Sequence, residues 1–301
     1  MAGGSPLKAI LYAFFANLGI AIAKTVATIF TGSSSMLAEA IHSYADTCNQ
    51  LLLLLGLHRA KRPPDDEHPL GYGKVSYFWS FIVALLLFSL GGLFSLYEGW
   101  HKLAHPEPLK HLWVALGVLG LAIVLEGLSM YGCMREVNAR RGDRGLWRWL
   151  NESRNSELVV VFGEDLGALV GLMLAFGFLT AAGVTGDARY DALGSMSIGV
   201  VLLVISVFVA VRIKALLIGR SADPDLVDAI EEHMAEDPDI QRVFNVITVQ
   251  MGAQVMLAAK IRLREHLDVH QASEKINRLE ARLQRQFPEI EWCFVEPDLE
   301  D

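Results

Sequence analysis

Six apolar stretches, at roughly 8–31, 35–57, 75–100, 112–134, 158–183 and 191–211, dominate the first 220 of the chain's 301 residues. Each reaches the ~20 residues a helix needs to cross a hydrocarbon core. Inside lipid every backbone amide must be bonded within its own segment, so stretches of this length read as helices rather than open strands. Residues 1–220 are therefore expected to form an all-α six-helix transmembrane bundle. Residues 221–301 read differently: a helix after Asp225, apolar strands near 243–251 and 255–263, a helix near 270–286 and a last strand at 290–295. That order predicts a small α+β ferredoxin-like domain.

The charges divide along the same line. The chain is 52% hydrophobic yet carries a net charge of −8. Residues 221–301 hold 18 acids and 8 bases, against 16 acids and 18 bases in residues 1–220. The acidity belongs to the tail and argues against a nucleic-acid partner. The chain shows no nucleotide-binding loop and no nucleophile with a paired base, so it does not read as an enzyme. Fourteen Lys and Arg, among them Lys8, Arg62, Arg141 and Lys214, fall on one side of the six stretches. Only Lys102, Lys110 and Arg189 fall on the other. The bias of Lys and Arg toward the cytoplasmic side predicts that both termini and the tail are cytoplasmic, in a multi-pass protein of the cytoplasmic (inner) membrane.

Ionisable residues inside a membrane are costly and are functional candidates for that reason. Here they are Lys24, Glu39, His42, Asp46, Glu98, Glu126, Glu164, Asp165 and Asp191. Glu39, His42 and Asp46 are spaced i, i+3, i+7 and share one helix face, with His42 and Asp46 one turn apart. Glu164 and Asp165 are adjacent, so they point about 100° apart and do not both face one ion. A His with carboxylates and no nearby thiol suits a borderline divalent metal, Zn²⁺ foremost, while also accepting Co²⁺, Ni²⁺, Fe²⁺, Mn²⁺ or Cd²⁺. A buried His–Asp hydrogen bond that merely fastens helices is the plainer alternative. Metal binding requires neutral His and ionised Asp, so loading releases protons and protonation expels the ion. Lys24 is expected to pair with an acid such as Glu39 or Glu126, and Asp191 to cap the start of the sixth stretch. Cys48, Cys133 and Cys293 form no pairing motif and are expected to be buried.

The segments GSSSMLAEAIHSYADTCNQLLLLLGL, RPPDDEHPLGYGKVSYFWSF, GGLFSLYEG, VVFGEDLGALVG and DALGS follow one another in an order that resembles the cation diffusion facilitators, and most of all their zinc transporter 9-like branch. The resemblance covers nearly the whole chain. It implies a six-span homodimeric metal/proton antiporter with a cytoplasmic ferredoxin-like domain, exporting metal by alternating access. The family's second-span ligand pair falls on His42 and Asp46. Its fifth-span pair falls on Val161 and Asp165, and Val161 cannot coordinate, which leaves Glu164, Glu39 or a water to complete the shell. Asp65 and His68, in the loop after the second stretch, resemble a peripheral metal site, with Tyr72 where a further His is common. Tail positions that often bridge metals are Asn245, Ala259 or Lys260, and Glu296 here; His266 and His270 lie nearby as a solvated pair. A metal-sensing or scaffold membrane protein without coupled transport is the alternative, and a metal bound without proton-coupled flux would favour it.

Overall fold

A computed structural model describes residues 6–106, 111–264 and 267–300, except for the side chains of 6–13, 15 and 16. The Lys8 side chain, Lys110 and His266 thus fall outside the described residues. The first helices are α1 (Pro6–Thr31), α2 (Ser34–Ala60) and α3 (Val75–Leu86), which runs through a π-helical turn (Leu87–Leu93) into α4 (Phe94–Ala104). They are followed by α5 (Leu112–Arg141), the short α6 (Leu146–Glu152), α7 (Ser156–Thr185) and α8 (Arg189–Ile218). Among the described residues four segments, Val75–Ala104, Leu112–Arg141, Ser156–Thr185 and Arg189–Ile218, are long and apolar enough to cross a membrane. The 27-residue α2 is long enough too, but Glu39, His42 and Asp46 interrupt its apolar character.

Packing divides the chain into two compact units. The first comprises Met1–Gly56, Trp79–Gly145 and Glu157–Ile213; the second comprises Leu57–Phe78, Leu146–Ser156 and Lys214–Asp301. In the first unit α1, α2, the π-helical turn, α5, α7 and α8 each place a residue in one core, through Ala27, Met36, Leu87, Leu119, Leu172 and Leu202. Its outer surface keeps large apolar side chains exposed, such as Leu121, Leu128 and Val204. Lipid suits that surface as water does not. The π-helical turn and α4 pack against α8 at close range: a Cβ on Gly92 would sit 2.5 Å from Leu203 Cδ2, and one on Gly99 2.6 Å from Met196 Cγ. Small residues of this kind let helix backbones approach where lipid provides no hydrophobic drive. Gly91 and Gly92 also lie inside the π-helical turn, an irregularity that recurs at functional sites.

The second unit contains α9 (Pro224–Ala235), β1 (Ile240–Met251), β2 (Gln254–Leu263), α10 (Val269–Gln286) and β3 (Ile290–Pro297). Asp223 caps α9 with Pro224 in its first turn, and Asp268 with Gln271 forms a capping box on α10. β1 and β2 form an antiparallel hairpin, while β3 returns over α10 to pair parallel with β2, giving the sheet order β1-β2-β3. One sheet face packs on the helices through Ile230, Met234, Leu257, Ile261, Leu279 and Leu283. On the other, Ile247, Ala258 and Phe294 stand in register, with Ile247 and Phe294 52% and 58% exposed.

The hairpin tip is bolted down within the same unit. The Tyr77 hydroxyl donates to the Gly252 carbonyl at 3.1 Å and accepts from the Gly252 amide at 2.9 Å. Gly73 lies so near the Met251 carbonyl that a Cβ there would collide with it. Arg154, just after α6, donates to the carbonyls of Ser221 and Ala222 at 2.6 and 2.9 Å. Burial holds its guanidinium below its ordinary range, at about 10.

Candidate metal centre

The geometry begins at the N-terminus of α2, where the first amides of a helix need acceptors. Asp191 supplies them from α8. Its Oδ1 accepts from Ser33 Oγ at 2.6 Å and the Ser35 amide at 3.2 Å; its Oδ2 accepts from the Ser34 amide at 2.6 Å and Ser34 Oγ at 2.9 Å. The expectation that Asp191 caps its own helix is thereby corrected: it caps α2 instead. Four bonds to one carboxylate fix where α2 begins, and hence which face carries its polar residues.

That face is buried. His42 is fully buried, and its Nε2 lies 3.5 Å from Asp46 Oδ2, one turn on. A Cβ on Gly91 would sit 3.8 Å from His42 Nδ1, so the imidazole packs against the π-helical turn. Neither ring nitrogen of His42 nor Asp46 Oδ1 has a hydrogen-bond partner among the described residues.

Of the two acids left open for Lys24, the structure selects Glu39. Lys24 Nζ donates to Glu39 Oε2 at 3.1 Å and to Ser43 Oγ at 2.7 Å, and all three residues are buried. Glu39 therefore already has a cation. The adjacent acids of α7 diverge, as their angular separation requires: Glu164 Oε1 accepts from Asn49 Nδ2 on α2 at 2.5 Å, while Asp165 Oδ2 accepts from Ser129 Oγ on α5 at 3.2 Å. Val161, one turn before Asp165, is half-buried. Glu126 on α5 joins the same electrostatic cluster, interacting with Asp46, Glu164, Asp165 and Lys24. The cluster thus links five carboxylates, one imidazole and one ammonium through pairwise contacts and interactions. Among the described residues no three His, Cys, Asp or Glu side chains converge closely enough to hold a metal ion in this conformation.

Sequence reasoning passed over Asn49, which is uncharged and so escapes a search for membrane charges. Its spacing was the available signal, three residues beyond Asp46 and seven beyond His42 on the same face. It also expected Cys48 to be buried, and the structure exposes it, because that position lies off the polar face of α2.

In the second unit, Asp65 is occupied by its own loop. Its Oδ1 accepts from the His68 amide at 2.8 Å, its Oδ2 accepts from the Tyr72 hydroxyl at 2.6 Å, and His68 Nδ1 lies 3.6 Å from Oδ1. The Tyr72 hydroxyl, more than any other group, holds the Asp65 carboxyl below the ordinary carboxylate range.

A bundle of apolar spanning helices with a His/carboxylate cluster set among them, joined to an α+β tail, defines a multi-pass membrane protein built around a polar site. Residues 10–218 match the model of the cation efflux transmembrane domain and residues 222–298 that of the cation efflux protein's cytoplasmic domain. The chain belongs to the cation efflux family, the cation diffusion facilitators, whose members are transporters and not enzymes. It is 33% identical over 265 residues to the human protein named proton-coupled zinc antiporter SLC30A9, mitochondrial, an alignment covering 87% of this chain and 46% of that one. Metal tolerance protein C4 of Arabidopsis thaliana is 30% identical over 226 residues, covering 74% of this chain and 49% of that one. The manganese efflux system protein MneP of Bacillus subtilis (strain 168) is 22% identical over 297 residues, covering 96% and 94%. The chain spans about half the length of the human and Arabidopsis relatives.

Proposed function

We propose that the chain is a six-span exporter of a divalent transition metal, Zn²⁺ foremost, in exchange for protons. In this reading α1 and α2 are the first two spans, and residues 1–220 and 221–301 are the transport and tail domains. Both termini and the tail face the cytoplasm. The tail is a ferredoxin-like layer shortened to three strands, and the protein works as a homodimer. The exposed sheet face at Ile247 and Phe294 supports a second copy packing there.

The observation that carries the transport reading is the His42–Asp46 pair. A fully buried imidazole beside a largely buried carboxylate, with both ring nitrogens and one carboxylate oxygen lacking partners, offers one imidazole lone pair and the lone pairs of that oxygen to no donor. Buried polar groups are normally bonded, so such a set suits an arriving cation. The lone His–Asp bond that would only fasten helices would leave Asp46 Oδ1 unexplained. His42, Asp46 and Asp165 are the assigned ligands. Glu39 serves as the counter-ion of Lys24, Glu164 is held within reach by Asn49, and the Asp65–His68 loop is a structural turn. Because the ligands bind metal only when His42 is neutral and the carboxylates are ionised, the same groups couple loading to proton release. The names of the human and Arabidopsis relatives support a metal, the former specifying zinc and proton coupling.

Proteoliposomes holding the full chain are expected to accumulate Zn²⁺ when a pH gradient is imposed, and Asp46→Asn and Asp165→Asn to abolish the uptake. Unchanged uptake in either variant would overturn the ligand assignment. Metal binding without any gradient-driven uptake would favour a sensor or scaffold.

A further inference from the structure

We propose a second station for the transported cation, built from oxygen alone, in which Asn49 Oδ1 and the Glu164 carboxylate bind the ion one helical turn further along α2 than Asp46, with Asp46 shared between the two stations. The proposal rests on the reading that His42 and Asp46 bind the cation.

Asn49 is fully buried on α2. Its amide nitrogen donates to Glu164 Oε1 at 2.5 Å, and its Oδ1 has no hydrogen-bond partner among the described residues. A side chain whose task was only to fasten α2 to α7 would be expected to satisfy both ends of its amide, because an unpaired buried carbonyl is unfavourable. Here the nitrogen anchors the amide against a carboxylate and leaves the oxygen free beside it. An unpaired amide oxygen on α2 thus belongs to a side chain that is anchored to a carboxylate on α7. Asp46 to Asn49 is three residues, a rise of about 4.5 Å on the same face, and His42 to Asn49 is seven residues, about 10.5 Å. The two stations are thus too far apart to be one coordination shell, yet near enough to share Asp46.

Their chemistry differs. The imidazole of His42 gives the first station a nitrogen, which favours Zn²⁺ and similar borderline ions. Amide and carboxylate oxygens favour harder ions such as Mn²⁺. A cation moving along α2 exchanges one ligand at a time around Asp46, meeting an oxygen site that discriminates little and a nitrogen-containing site that discriminates more. Asn49 is then a direct ligand that helps set which metals reach His42.

The test is equilibrium binding of Zn²⁺ and Mn²⁺, each alone, to the full chain purified in detergent. Asn49→Leu is expected to weaken Mn²⁺ binding about tenfold or more and Zn²⁺ binding much less, shifting the ratio of the two affinities toward Zn²⁺; His42→Ala is expected to shift it the other way. Equal losses for both metals in Asn49→Leu, or no loss for either, would overturn the second station. Unaltered Zn²⁺ binding in His42→Ala would overturn the parent reading instead, so the two failures are distinguishable. Should Asn49→Leu fail to fold, Asn49→Asp supplies the check: it keeps an oxygen and adds a charge, and is expected to raise Mn²⁺ affinity relative to Zn²⁺. An unchanged ratio of the two affinities would overturn the proposal.

Discussion

Lys24 Nζ lies 3.1 Å from Glu39 Oε2 with both side chains fully buried, so an ammonium on α1 is committed to a carboxylate on α2. Truncating one member of such a pair strands the other's charge, at a typical loss of about 3–5 kcal/mol. Lys24→Met is therefore predicted to lower thermal stability in detergent sharply, and the double variant Lys24→Met/Glu39→Gln to recover much of the loss. Because Lys24 and Glu39 neutralise each other, the double variant Lys24→Met/Glu39→Gln is predicted to leave Zn²⁺ affinity nearly unchanged while Asp46→Asn abolishes it. Isothermal titration distinguishes the two.

Asp191 sets the start of α2 through bonds to Ser33, Ser34 and Ser35. Asp191→Ala removes a charged acceptor from two helix amides and two hydroxyls, and is predicted to lose about 2–4 kcal/mol, more than an ordinary cap. Since it also frees the register of α2, Zn²⁺ affinity should fall although Asp191 acts at the start of α2, about two turns before His42. Denaturation and metal titration of one preparation check both effects.

The Tyr77–Gly252 clamp yields a local prediction. Tyr77→Phe removes its two hydrogen bonds to Gly252 and should cost about 1–3 kcal/mol. Gly73→Ala should cost more, because its Cβ meets the Met251 backbone carbonyl, which cannot rotate away as a side chain would. In both variants, amide hydrogen exchange at Gly252–Gln254 is predicted to accelerate while exchange in α10 stays unchanged.

Asp65 supplies a pH prediction. Its folded-state carboxyl titrates below the ordinary range because Tyr72 and the His68 amide bond its ionised form. A carboxylate depressed on folding adds stability above its ordinary titration range, and that contribution is lost as pH falls through the folded value. The 62–72 loop is thus predicted to loosen only at strongly acidic pH. Tyr72→Phe should raise the Asp65 titration and move the loosening to higher pH, which carboxyl-resolved NMR titration would register.

What the sequence revealed depended on whether a residue's partner was near it in the chain. His42 and Asp46 sit one turn apart on one helix, so periodicity alone brought them together. The tail's strands and helices were equally legible, because their alternating and 3.6-residue patterns are local; the observed β1, β2 and β3 begin and end within about three residues of the expected runs. Asp191 was misread because its partners lie more than 150 positions away, at Ser33–Ser35. Lys24 offered two acids and only packing chose between them. The π-helical turn at Leu87–Leu93 left no mark beyond the Gly91–Gly92 pair, and Asn49 was invisible to any search keyed on charge.

The central claim is metal/proton exchange through His42, Asp46 and Asp165, and simultaneous recording of internal Zn²⁺ and internal pH in proteoliposomes tests it most directly. Zn²⁺ added outside at equal pH on both sides is predicted to enter as the interior turns alkaline, with the two signals rising together and both absent in Asp46→Asn. Zn²⁺ entering with no change of internal pH, or both signals persisting in Asp46→Asn, would contradict it.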